Sequence, residues 1–116
     1  MQARDRHFVD GVTCVLDGNA MRVANLSLGG LFAATELRPP DPGQLVILEL
    51  RLPAHSPFRV VGQVTWVNEP RNPADLPPGF GVRITQIASR DKEALTDLLR
   101  RSDAVLAQPR RGHRGH

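Results

Sequence analysis

The chain has 116 residues, of which 41% are hydrophobic and 4% aromatic, and a formal net charge of +3. That length suits one domain with a single modest core, and no apolar run approaches the roughly 20 residues that a membrane helix needs. Arg110, Arg111 and Arg114 account for the whole positive excess, so the body of the chain is near neutral and no DNA- or RNA-binding surface is expected.

With aromatics scarce, core volume must come from Val, Leu and Ile, which favours strands. The only cysteine, Cys14, excludes an internal disulfide and suits a reducing compartment. The opening residues Met1–His7 contain no apolar leader. Together these features predict a cytoplasmic protein without membrane insertion.

Residues 1–8 read as a flexible N-terminal arm. Val9–Leu16 then reads as a strand with Val12, Cys14 and Leu16 on one face. Asp17-Gly18-Asn19 is a hairpin turn signal. Ala20–Leu26 forms the second strand, and a turn over Ser27–Gly30 leads into a third at Leu31–Thr35. The proline-rich Arg38–Gly43 is a loop, because prolines cannot donate to a strand ladder. Gln44–Leu52 is the fourth strand, with Val46, Leu48, Leu50 and Leu52 inward and Glu49 and Arg51 outward. Phe58–Asn68 is the fifth, with Phe58, Val60, Val64 and Trp66 on a shared face that Gly62 interrupts, as at a bulge or a close backbone approach. Trp66 is expected in core or barrel-rim packing rather than as a stacking platform.

After the polar loop Glu69–Pro78, Phe80–Ile87 forms the sixth strand. Ser89 is placed as the N-cap of a closing helix, with Asp91 and Glu93 in its first turn and an apolar stripe of Ala94, Leu95, Leu98 and Leu99. The helix is expected to fray between Ser102 and Ala107, and residues 103–116 to form a disordered Arg/His-rich tail. Six short strands followed by one helix predict a mainly-β antiparallel barrel, its body spanning residues 9–102, with the helix closing an open mouth.

The sequence makes no case for catalysis. His7, His55, His113 and His116 lack metal-ligand spacing with Cys or acidic partners, and no Ser/His/Asp or Cys/His set emerges from order or spacing. Neither a resident cofactor nor a metal is expected. Cys14 reads as a small buried hydrophobe rather than a reactive thiol.

One stretch points to a ligand. Asn25-Leu26-Ser27-Leu28-Gly29-Gly30 lies between two alternating runs, with Arg4 and Arg6 upstream. Read locally, it is a turn held by Asx and Ser backbone bonds. Read as Asn-x-Ser-x-x-Gly behind an arginine-bearing arm, it resembles the nucleotide-binding signature of PilZ domains, bacterial receptors for cyclic di-GMP. Gly62-Gln63-Val64-Thr65-Trp66 and Gly79-Phe80-Gly81-Val82 look like two further features of that family. The resemblance covers roughly residues 4–101, and it implies a six-stranded barrel with a C-terminal helix. The family's Arg-x-x-x-Arg motif is degenerate here. Arg6 falls at its second arginine, Gln2 stands at the first, and Arg4 lies between them.

The ligand-binding set implied for cyclic di-GMP is Arg4, Arg6, Asn25, Ser27, Gly29 and Gly30. The chemistry suits those residue types. Arginine pairs with phosphate or with a guanine edge and stacks on bases. Asn and Ser supply short hydrogen bonds, and glycine permits close backbone approach. Two functions remain open from the sequence. One is a receptor module that transmits cyclic di-GMP levels to a partner protein. The other is a degenerate PilZ-like adaptor that acts only through protein contacts in motility or polarity control. Both a monomer and a homodimer are compatible with the sequence.

Overall fold

The structure, a computed structural model, describes residues 7–8, 10–69 and 77–114, with side chains over 10–69 and 77–101. Seven strands and one helix follow in chain order: β1 (His7–Phe8), β2 (Thr13–Leu16), β3 (Asn19–Leu26), β4 (Gly30–Ala34), β5 (Leu45–Arg51), β6 (Phe58–Asn68), β7 (Gly79–Gln86) and α1 (Ser89–Arg114). All pairings are antiparallel, and the order β3-β2-β5-β6-β7-β4 closes on itself through β3–β4. The result is a closed six-stranded barrel, with β1 added alongside the end of β3.

Local chemistry sets several of these elements. Asp17 (φ 50°) and Gly18 (φ 83°) form the two-residue loop between the paired residues Leu16 and Asn19. Positive φ at both central positions matches the twist of the flanking strands. In β5, Val46, Leu48 and Leu50 are buried while Leu45, Ile47 and Arg51 are exposed, the alternation expected of a barrel wall. The inward faces of all six barrel strands meet in one core that includes Leu26, Leu31, Leu48, Leu50, Val60, Val64, Phe80 and Val82.

Helix α1 contributes Leu95 and Leu99 to that core, with Ala94 and Leu98 packed at its margin, so its apolar stripe closes the barrel as the sequence predicts. Fully burying a leucine side chain is worth roughly 1.5–3 kcal/mol. The first turn is further tied to the β5–β6 loop, where His55 Nε2 lies 3.4 Å from Asp91 Oδ1. Among the described residues, no helix is long and apolar enough to cross a membrane.

Several local expectations need correction. The strand expected over Val9–Leu16 is broken. His7 and Phe8 pair with Leu26 and Asn25, whereas Thr13 begins pairing at Arg22, so the register advances five positions from Phe8 to Thr13 against three on β3, from Asn25 to Arg22. Gly11, at φ 81°, takes up that excess in a conformation closed to most side chains. The last two residues of the expected flexible arm are therefore strand.

Trp66 does not share the face of Phe58, Val60 and Val64. Val64 pairs with Val82, but Trp66 pairs with Gly81, so Thr65 is an extra residue that reverses the alternation. Val67 turns inward to the core and Trp66 outward. Gly62 does sit at a register shift, and its α-carbon lies against Val82, as the interrupted face suggested.

Ser89 is not the cap. The backbone N–H of Lys92 donates to the Ala88 carbonyl at 2.9 Å, which makes Ala88 the cap and Ser89 the first helical residue. Ile87, packed on the core, fixes the chain's entry into the helix. At its other end α1 continues through Arg114, past the expected end at Ala107 and through most of the tail expected to be disordered. Ala104, Leu106, Ala107 and Gln108 are favourable helix formers that carry the backbone as far as Gln108, whereas local propensity does not explain its continuation through Pro109 and Gly112.

Candidate functional site

The Asn25–Gly30 stretch joins β3 to β4, and its geometry begins with Ser27. The Ser27 N–H donates to the Gly30 carbonyl at 2.8 Å, closing the turn. The Ser27 hydroxyl oxygen then accepts from the N–H groups of Gly29 at 3.2 Å and Gly30 at 3.1 Å. The local turn reading is thus realised for Ser27, whose hydroxyl organises the loop from within.

The two glycines have different surroundings. A Cβ on Gly30 would strike the carbonyl oxygen of Val82, so only glycine lets β4 lie this close to β7. Gly29 has no heavy atom within 4 Å of where its Cβ would stand, and its φ is not positive. Neither crowding nor backbone conformation demands glycine there. Its carbonyl accepts from the Ile84 N–H at 2.8 Å, which fixes the turn to β7.

Asn25 is 4% exposed. A register shift between Val23 and Asn25 makes Ala24 an extra residue in β3. Asn25 then pairs with Phe32, Phe32 with Gly81, and Gly81 with Trp66. Cross-strand partners share a face, so these four residues form one row across four strands on the barrel's outer side. Leu26, Leu31, Phe80 and Val82, their neighbours in the chain, all point into the core. The Phe32 and Trp66 rings lie 5.2 Å apart at 35°, and Phe32 is fully buried outside the main core. Trp66 and Gly81 stand out in the sequence as features of the fold, but this row does not, because strand register is not visible in a single strand's sequence.

Arg4 and Arg6 lie outside the described residues. What the structure does give is β1. Phe8 stands opposite Asn25 and His7 opposite Leu26, so the segment directly following Arg6 in sequence runs along the motif strand. Asn25, Ser27, Gly29 and Gly30 are brought together at the junction of β3 and β4.

Two clefts of about 480 Å³ each flank the Arg38–Pro40 loop, and neither of these is lined by a motif residue. Cys14 is fully buried in the core, where desolvation pushes its thiol up to about 12 and leaves it without nucleophilic character near neutrality. Among the described residues, no group of three His, Cys, Asp or Glu side chains could hold a metal ion.

Solved structures share this fold at low sequence identity. The Bacillus subtilis inhibitor of motility (MotI/DgrA) superposes with a TM-score of 0.68 at 19% identity, over 87% of this chain and 51% of its own. The present chain thus spans about half the length of that protein. The PilZ domain of YcgR from Escherichia coli, solved with c-di-GMP, gives a TM-score of 0.62 at 16% identity, over 90% of this chain and 92% of its own. An uncharacterised Legionella protein gives 0.58 at 15% identity, over 91% and 97%. No curated protein matches in sequence. The family model of the PilZ domain matches residues 5–101, taking in Arg6, the complete Asn25-x-Ser27-x-x-Gly30 stretch and the helix to Arg101. On that match, and on a barrel shared with a PilZ domain of known structure, this chain belongs to the PilZ domain family.

Proposed function

We propose that this protein is a cyclic di-GMP receptor module that passes the level of the second messenger to a partner protein. The observation that carries this reading is the pairing of β1 with the motif strand, with Phe8 opposite Asn25. It sets His7, the residue that follows Arg6 in sequence, opposite Leu26 within the Asn25–Gly30 motif. The barrel supplies a rigid half-site, and the chain preceding His7 supplies cations to phosphate or guanine. New contacts made by that segment to the bound nucleotide are a means of signalling to a partner. The open space over Gly29 and the complete Asn25-x-Ser27-x-x-Gly30 pattern support the same reading, as does the c-di-GMP present with the YcgR domain. The receptor has no catalytic step.

A second reading rests on a specific observation. The Ser27 oxygen is already engaged by two N–H groups of its own turn, and Gln2 stands where the family has its first arginine. On that reading the chain is an adaptor that binds proteins only, and motility is one process it would serve, given the named role of MotI.

Titration calorimetry with cyclic di-GMP separates the two. The receptor reading expects micromolar or tighter binding, lost in Asn25→Ala and retained in Asn25→Asp, which keeps to the family pattern. Thermal melts of each variant separate loss of the site from loss of the fold. Absence of binding by the unmodified chain at hundreds of micromolar ligand establishes the adaptor.

A further inference from the structure

The face that presents the motif holds a basic side chain that the motif does not include. Arg83 in β7 stands directly across from Gly30. It lies two residues beyond Gly81 on the same outward side and is exposed. Its Nη2 donates to Gln63 Oε1 at 2.7 Å, and Gln63 Nε2 in turn donates to the Gly43 carbonyl at 3.2 Å. Among the described residues no carboxylate pairs with Arg83, whereas Arg51 is paired with Glu49 and Arg100 with Asp97. A full positive charge therefore rests on a neutral amide.

Position singles this arginine out. Arg22, on the motif's own strand, stands opposite Thr13 and Ala34 and precedes Asn25 by three residues. Arg59 stands opposite Glu49, away from the motif. Only Arg83, among the described arginines, is in register with a motif residue. Gln63 is its neighbour on one side and Gly30 on the other. Adjacent strands are about 4.8 Å apart, so a guanidinium that spans the gap to Gln63 spans the gap to Gly30 by side-chain rotation. That rotation gives up one exposed hydrogen bond, a small net loss.

The turn also creates a need for such a cation. The N–H groups of Gly29 and Gly30 are both taken by the Ser27 oxygen, which weakens the loop as an anion cradle. Charge for a phosphate beside the open Gly29 must then come from a side chain. We propose that Arg83 is a phosphate-binding residue of this site, swinging from Gln63 toward the Ser27–Gly30 turn to pair with a phosphate of the cyclic dinucleotide. This rests on the receptor reading, and it gives the site a scaffold-borne guanidinium where the arm carries Gln2.

The test is titration of the full chain with cyclic di-GMP at low and high salt, comparing the unmodified protein with Arg83→Ala, Arg83→Lys and Gln63→Ala, alongside thermal melts. The expected result is a loss of about tenfold or more in Arg83→Ala, partial recovery in Arg83→Lys, and a flatter salt dependence in Arg83→Ala at unchanged melting temperature. Gln63→Ala, which frees the guanidinium, should bind at least as well as the unmodified chain. Binding by the unmodified chain with Arg83→Ala within about twofold of it overturns this proposal alone. So does a loss that leaves the salt dependence intact or follows a lowered melting temperature. No binding by the unmodified chain overturns the receptor reading, and this proposal with it.

Discussion

The indole of Trp66 lies across the α-carbon of Gly81, so close that a Cβ there would collide with its Nε1 and Cδ1. Trp66 reaches this position because Thr65 is an extra residue in β6, and once there it covers Phe32 as well. The outer row beside Asn25 is thus assembled by a bulge on one strand and a missing side chain on the next.

Replacing Gly81 with Ala should force the indole off the row. The expected outcome is a stability loss of about 1–3 kcal/mol, the usual range for overpacking a tight contact. Trp66 is the only tryptophan in the chain, so intrinsic fluorescence reports its displacement directly as a red shift. An unchanged spectrum with unchanged stability would show that the ring is not seated on Gly81.

The two motif glycines should separate fold from ligand. Gly30→Ala places a methyl against the backbone carbonyl of Val82, which cannot rotate away, and should lose about 1–3 kcal/mol in urea unfolding. Gly29→Ala meets open space and should change stability by less than about 0.5 kcal/mol. On the receptor reading it nevertheless weakens cyclic di-GMP binding, because the methyl occupies the surface the ligand approaches. Equal stability losses in the two variants would contradict the geometry.

Much of this arrangement was legible from residue order. The alternation in Val46–Leu52 gave the fourth barrel strand its inward face, Asp17-Gly18 marked the hairpin, and the spacing of Leu95 and Leu99 marked the helix that fills the barrel. What escaped depends on partner strands. The break at Gly11 and the reversal at Thr65 exist because β3 and β7 supply fewer residues than face them, and a single strand's pattern carries no count of its partner. The same limit hid the Asn25–Phe32–Gly81–Trp66 row and the place of Arg83 beside Gly30. The motif itself was legible because its residues are contiguous, and its turn chemistry is local.

Helix α1 should behave as part of the barrel core rather than as an appendage. Leu95 is fully buried among strand residues. Leu95→Ala removes that contact and leaves a cavity, so a loss of about 2–5 kcal/mol is expected in denaturant unfolding. Thr96→Ala on the same helix removes only a hydroxyl that donates to the Lys92 carbonyl at 2.8 Å and should stay within about 0.5 kcal/mol. Similar small effects from both changes would mean that the barrel is stable without its helix.

Stability at high pH should depend on Cys14. Burial raises its thiol from 9.0 to about 12, so the native state keeps a proton that the unfolded chain releases near the ordinary value. Below that value the contribution to stability is fully present. As pH rises from about 9 toward 12 the unfolded state binds fewer protons than the native one, and stability falls, with a limiting slope of about 1.4 kcal/mol per pH unit. Few other groups obscure this window, since the chain has no tyrosine and Lys92 is its only lysine. Urea unfolding at pH 7.5, 9 and 10.5 should show the decline in the unmodified protein and a flatter profile in Cys14→Ala, whose stability is lower at neutral pH. Parallel profiles in the two proteins would mean that the thiol ionises alike in the folded and unfolded states, against its burial in the core.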